Sequence, residues 1–220
     1  MGTIVASVVL NRSAKTLYDE TNHQWTAAEL LDYLNLGITA TVSNKPDWFT
    51  KCELITLVAG TLQSIPAAGT QVLDVIHTEA GGAIYHYSRD KRDHGLRTWH
   101  AASQTADILH WYSDDRDPTR FFVDPPASNG AKVMCRYSAT PTRLTSASDT
   151  IPLPDIAEQA LWAYVVACAH LKSTKRGDPS RGNFWLTVWA NSIGARAQVQ
   201  ALFKSEPAED TPESGRAAAA

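Results

Sequence analysis

His86, His94, His100 and His110, followed by Asp114, Asp115 and Asp117, form a stretch dense in groups able to hold a metal ion or move a proton. Zinc sites bring their ligands in as tight pairs such as H-x3-H, or as H-E-x-x-H on one helix face. Neither pattern occurs, so scattered polar histidines are the better reading. The run Asp114-Asp115-Arg116-Asp117 lacks the alternating acids, central glycine and closing Glu of a calcium loop. Aspartates that close turns on their own backbone account for it. A Ser/His/Asp hydrolase would need a G-x-S-x-G elbow, which is absent. Gly81-Gly82 has no G-x-G-x-x-G or G-K-[ST] around it and is not a phosphate cradle. Arg176-Gly177-Asp178 spells an adhesion tripeptide, but three residues match by chance and an interhelical loop is the default. No catalytic, cofactor-binding or metal-ligating residue is assigned.

Cys52, Cys135 and Cys168 are odd in number and show no C-x-x-C spacing, which argues against a disulfide framework or a zinc module. Small buried hydrophobes in a reducing cytoplasm is the expected role for them. Lys172, Lys175, Arg176 and Arg181 make the one basic cluster. Cations at a helix C-terminus offset the macrodipole, so a solvated helix end is weighed there against a site for phosphate or an acidic protein partner. Trp162, Trp185 and Trp189 sit at helical positions, where indoles serve cores and interfaces alike.

A chain of 220 residues with 44% hydrophobic and 20% charged residues and a net charge of −3 reads as an ordinary globular protein. It lacks the basic excess of a nucleic-acid-binding domain. No secretory signal or apolar run long enough for a bilayer is seen, so a soluble protein is expected. There is no internal repeat.

The elements that must position these residues follow from periodicity. Apolar residues at spacings of three and four predict a helix over residues 3–18 and another from Ala27 to Lys45-Pro46. Thr26 and Glu29 form a capping box for the second, with Trp25 and Leu30 as a hydrophobic staple. The period then changes to two. Residues 53–58 and 62–65 read as a hairpin about Ala59-Gly60-Thr61, followed by strands at 72–77 and 83–87. Residues 88–99 read as a loop or one helical turn. Residues 107–126 read as a hairpin ended by Pro125-Pro126, and 133–137 as a further strand. Asp155 then caps a third helix, 156–171, apolar nearly all round and in need of enclosure by its own domain or a neighbouring subunit. Residues 183–204 make a fourth helix with two apolar stripes. Residues 205–220 hold prolines, acids and no large apolar side chain, so they cannot fold alone.

The expected fold is α+β, a four-helix domain built from both chain ends (1–49 and 151–204) with an inserted antiparallel β-rich domain (50–150) and a flexible tail (205–220). Candidates for contact with other subunits or a partner protein are Trp162, Trp185, Trp189, Lys172, Lys175, Arg176, Arg181 and, in the tail, Glu206, Glu209, Asp210 and Glu213.

WTAAELLDYLN, LVAGTLQSIPA, QVLDVIH, HWYSDDRDPTRFFVDPP and SDTIPLPDIAEQAL occur in that order. In order and spacing, over about residues 25–204, they resemble the head-to-tail adaptor proteins of short-tailed bacteriophages, the tail tubular protein A type. The resemblance implies a virion structural protein and no enzyme: a homo-oligomeric ring, commonly a dodecamer, between the portal protein and the tail nozzle protein. It further implies DNA only in transit through the lumen, a tail fibre or spike as a further partner, no cofactor, no membrane, and assembly in the host cytoplasm. Two other readings compete with it. One is a virion-associated hydrolase using the His and Asp residues; the other is a glycan-binding tail module, which would hold Trp99 and Trp111 coplanar on one open face.

Overall fold

The computed structural model describes residues 2–172 and 177–203, with backbone alone over 195–203. Helix α1 (Ala6–Thr16) opens the chain, shorter at both ends than the periodicity predicts. Before it the chain is extended: Val5 bridges Thr150 and Ile151 N–H donates to the Ile4 carbonyl. Helix α2 (Ala27–Asn44) starts at Thr26, whose hydroxyl accepts the Glu29 N–H. The Glu29 carboxylate does not close the box. It takes instead the Tyr33 hydroxyl, one turn further along α2, and the Lys172 ammonium, just past the end of the helix 158–171.

Helices α4 (Glu158–Leu171) and α5 (Pro179–Phe203) end the described chain. α5 begins four residues earlier than its apolar stripes indicate. Proline suits the first helical position, and Asp178 accepts the Ser180 and Arg181 N–H groups, capping the start. Asp155, expected to cap the third helix, caps the other end of the protein: its carboxylate takes the Thr3 and Ile4 N–H groups and the Thr3 hydroxyl. A short 3-10 turn, Asp155–Ala157, leads into α4 in its place. α4 packs against α1, α2 and α5, so its all-round apolarity is met within one chain. One core runs through α1, α2, α4 and the connector residues Leu144, Ile151 and Leu153.

The β region holds β1 (Thr50–Thr56), β2 (Gly60–Ser64), β3 (Gly69–Thr78), β4 (Tyr85–His86), β5 (His110–Ser113), β6 (Arg120–Ala127) and β7 (Lys132–Ala139). They form two sheets, ordered β1-β7-β3 and β2-β6-β5-β4, around a second core that includes Val75, Ile108, Phe121, Val123 and Tyr137. The β5–β6 hairpin is as expected, His110 opposite Asp124 and Ser113 opposite Phe121. It is not ended by its prolines. β6 runs on to Ala127: against β2 the register shifts between Gly60 and Leu62, so residues 123–126 have no partner there, while on the other side the Asp124 and Pro126 carbonyls accept the Leu109 and Thr105 N–H groups.

Two further expectations fail. β1 and β2 are not a hairpin: β1 pairs with β7 and β2 with β6, in different sheets. The turn between them is a corner, with Gly60 at φ 111°. Gln63, 2% exposed, staples it by accepting the Val58 N–H and donating to the carbonyls of Val58 and Gly60. The β region is also not wholly antiparallel, because β4 lies parallel to β5. Between them, residues 88–99 form α3 (Arg89–Gly95), longer than one turn.

Candidate functional site

Three places gather the residues able to bind or react. The first is the outer face of the β2-β6-β5-β4 sheet, where α3 and the 3-10 turn at Trp99 lie over β5 and β6. Tyr112 and Asp124 come from facing strands and meet there, the Tyr112 hydroxyl donating to Asp124 Oδ2 at 3.1 Å. Arg92 of α3 reaches the same oxygen at 2.9 Å. Trp99 donates its indole N–H to Asp93, and Arg89 sits 4.3 Å over the Phe122 ring while pairing with Asp93. These contacts pin the α3 segment to the sheet. A cleft of about 670 Å³ remains beside it, lined by His86, Tyr87, Arg89, Asp90, Asp114 and Phe122 among others. Burial and the Asp124 carboxylate push the Tyr112 phenol well above its usual range, so it donates its proton and does not ionise.

The histidines do not converge. His86 packs on Trp111, His110 on Tyr87, and His100 stacks on Trp99 while bonding Thr61. No group of three His, Cys, Asp or Glu that could hold a metal is found among the described residues. Trp99 and Trp111 are buried, at 0% and 5% exposure, which removes the open aromatic platform a glycan-binding module would need. Cys135 is buried and its thiol pushed up to about 12; Cys168 is half-buried and pushed up to about 11, in both cases by burial first. Neither forms the thiolate a nucleophile requires. Cys52 departs from expectation, standing exposed on β1.

The second place is the seam around α4. Trp162 bonds Thr16 on α1, lies 4.1 Å from the Arg12 guanidinium and meets Trp185 of α5 edge-on at 4.7 Å. Trp189 of α5 bonds Thr41 of α2 and meets Tyr164 edge-on at 5.3 Å. The three indoles are thus spent largely on binding helix to helix within the chain, each left half-buried. At the end of α4 Lys172 lies 2.6 Å from Glu29, and Arg181 pairs with Asp178 at 3.4 Å. Lys172, bonded to it, holds the Glu29 carboxyl below its usual range. Lys175 and Arg176 lie outside the described residues, as do Glu206, Glu209, Asp210 and Glu213.

The third place lies in residues 19–25 between α1 and α2, where no motif marks it. Asp19, almost fully buried, takes the N–H groups of His23, Gln24 and Trp25. Those bonds hold its carboxyl below the usual range, the Trp25 N–H foremost. Trp25 then donates its indole N–H to the Ala169 carbonyl, tying the start of α2 to the end of α4. Just before this knot Tyr18 stands 90% exposed at φ 54°.

What these places can do is hold surfaces in fixed positions. None couples a base to a nucleophile. Among the described residues no helix is long and apolar enough to cross a membrane. The family described as SU10 adaptor protein matches the chain over residues 6–210. No curated protein matches it.

Proposed function

The chain belongs to the SU10 adaptor protein family, phage head–tail adaptors that act as structural components of the virion, and from that premise we propose the finer placement. Copies form a closed ring, a dodecamer, between the portal protein and the tail nozzle protein, with the lumen open for DNA in transit. The type is that of short-tailed phages and tail tubular protein A, with a tail fibre or spike as a further partner. The single observation carrying this reading is the family match across nearly the whole chain. A unit of residues 1–49 and 151–204 and a unit of residues 50–150 would present different surfaces to the components above and below. Trp162, Trp185 and Trp189 shape the helical surface by fixing α5 on α4, so they act on assembly through helix placement. Lys172, Lys175, Arg176 and Arg181 are the proposed cationic contacts, and Glu206, Glu209, Asp210 and Glu213 the acidic ones.

Acidic contacts at an interface rim mostly steer association and are screened by salt. The test adds purified chain to tailless capsids bearing portals, at low and high salt, with and without residues 205–220. Full-length chain should attach, and the truncation should attach more slowly and with less salt dependence. Absence of attachment by the intact chain at either salt concentration would refute the placement. Identical attachment by both chains would remove the acidic residues from it.

A further inference from the structure

β1 and β2 together form one bent edge shared by both sheets, since among the described residues β1 pairs only with β7 and β2 only with β6. Which backbone groups lie free on this edge follows from the ladder. Ala139 N–H donates to the Phe49 carbonyl and Leu57 N–H to the Ala131 carbonyl, so 49/139 and 57/131 are hydrogen-bonded pairs. Antiparallel pairs alternate, so Lys51, Glu53 and Ile55 also face β7 through their backbones. Thr50, Cys52, Leu54 and Thr56 therefore turn both N–H and C=O outward. All four are exposed, Leu54 by 45%. An edge of this length is a template for another strand unless charge or proline guards it. β1 has no proline, and its one lysine is answered by a glutamate two residues on.

We propose that the free chain pairs this edge, antiparallel, with the same edge of a second copy, with Cys52 on the two-fold axis. The charges select that register. Outward residues must oppose outward residues, and pairing at least three of the four on each copy requires a centre at Cys52, Glu53 or Leu54. Centring on Glu53 sets two carboxylates against each other, and centring on Leu54 leaves Lys51 and Glu53 without opposite charges. Centring on Cys52 sets Lys51 of each copy opposite Glu53 of the other, twice. Glu53 already takes the Tyr137 hydroxyl on one oxygen, and its second oxygen, without a hydrogen bond among the described residues, can face the lysine. The contact is isologous and cannot close a ring by itself. It concerns the chain alone in solution and stands apart from the placement between portal and nozzle.

In this register the two Cys52 residues form a hydrogen-bonded pair with Cα atoms about 5.5 Å apart, within the span a disulfide bridges. The full chain, freed of reductant, is treated with diamide, which takes up the two protons and two electrons released as two thiols join. Peptide mass mapping should find Cys52 linked to Cys52. Lys51→Glu and Glu53→Lys lie at the surface and should each weaken the dimer about tenfold or more, since each sets like charges in opposition twice. An equimolar mixture of the two variants should recover wild-type cross-linking as the mixed dimer, and Cys52→Ser should still sediment as a dimer. The proposal is overturned if oxidised wild type yields no Cys52–Cys52 link. It is equally overturned if the charge reversals leave linking unchanged or if the mixture fails to recover it.

Discussion

Asp19 orders the bend between α1 and α2 with one carboxylate and three backbone donors, and Trp25 carries that order across to α4. Asp19→Ala leaves those donors without their acceptor inside the protein, and the melting temperature should fall further than for removal of the exposed Asp32. Its pH dependence has a fixed sign. The folded-state pKa of Asp19 is depressed, as are those of Glu29, Asp149 and Asp155. Their stabilisation is therefore complete above the unfolded carboxylate value of about 4 and is lost as pH falls through the folded values. Thermal unfolding followed from pH 7 to pH 2 should show a plateau and then a decline below about pH 4. The Asp19→Ala chain should show a shallower decline. At the α4 seam, Trp189→Ala removes a half-buried ring and its bond to Thr41. Denaturant titration should show a loss of about 1–3 kcal/mol, below the range for a fully buried tryptophan.

At the scale of elements, the 3.6-residue period and the Thr26 cap made α1, α2, α4 and α5 legible from the sequence, because each depends on neighbours in the chain. Where local rules failed, a distant partner had taken the group over. Glu29 was drawn off by Lys172 and Asp155 by Thr3, each more than a hundred residues away. The strands were legible as strands, but Ala59-Gly60-Thr61 carries the same composition whether it closes a hairpin or turns a corner. Gln63 decides which, and a single buried glutamine in a short strand has no spacing to mark it. Gln63→Leu keeps the volume and removes all three bonds of the staple. It should cost about 1–3 kcal/mol in denaturant titration, with the midpoint moved and the slope unchanged. The surface candidates were the least legible, because indoles at helical spacing read the same whether they face a sister helix or a neighbouring subunit.

For the whole molecule, the two cores touch through a residue between them. Phe49 packs against both, and its carbonyl accepts the Ala139 N–H. Asn35 of α2 holds the connector that follows β7, donating to the Leu144 carbonyl and accepting its N–H. The Phe49 contacts join the helices to the sheets. The central claim, that copies of this chain close into a ring at the portal vertex, is tested most directly by electron microscopy of the purified protein bound to its portal. The account predicts a closed ring of copies on the portal with an open lumen on the axis. Single copies scattered on the capsid, or a portal left bare beside unbound chain, would contradict it.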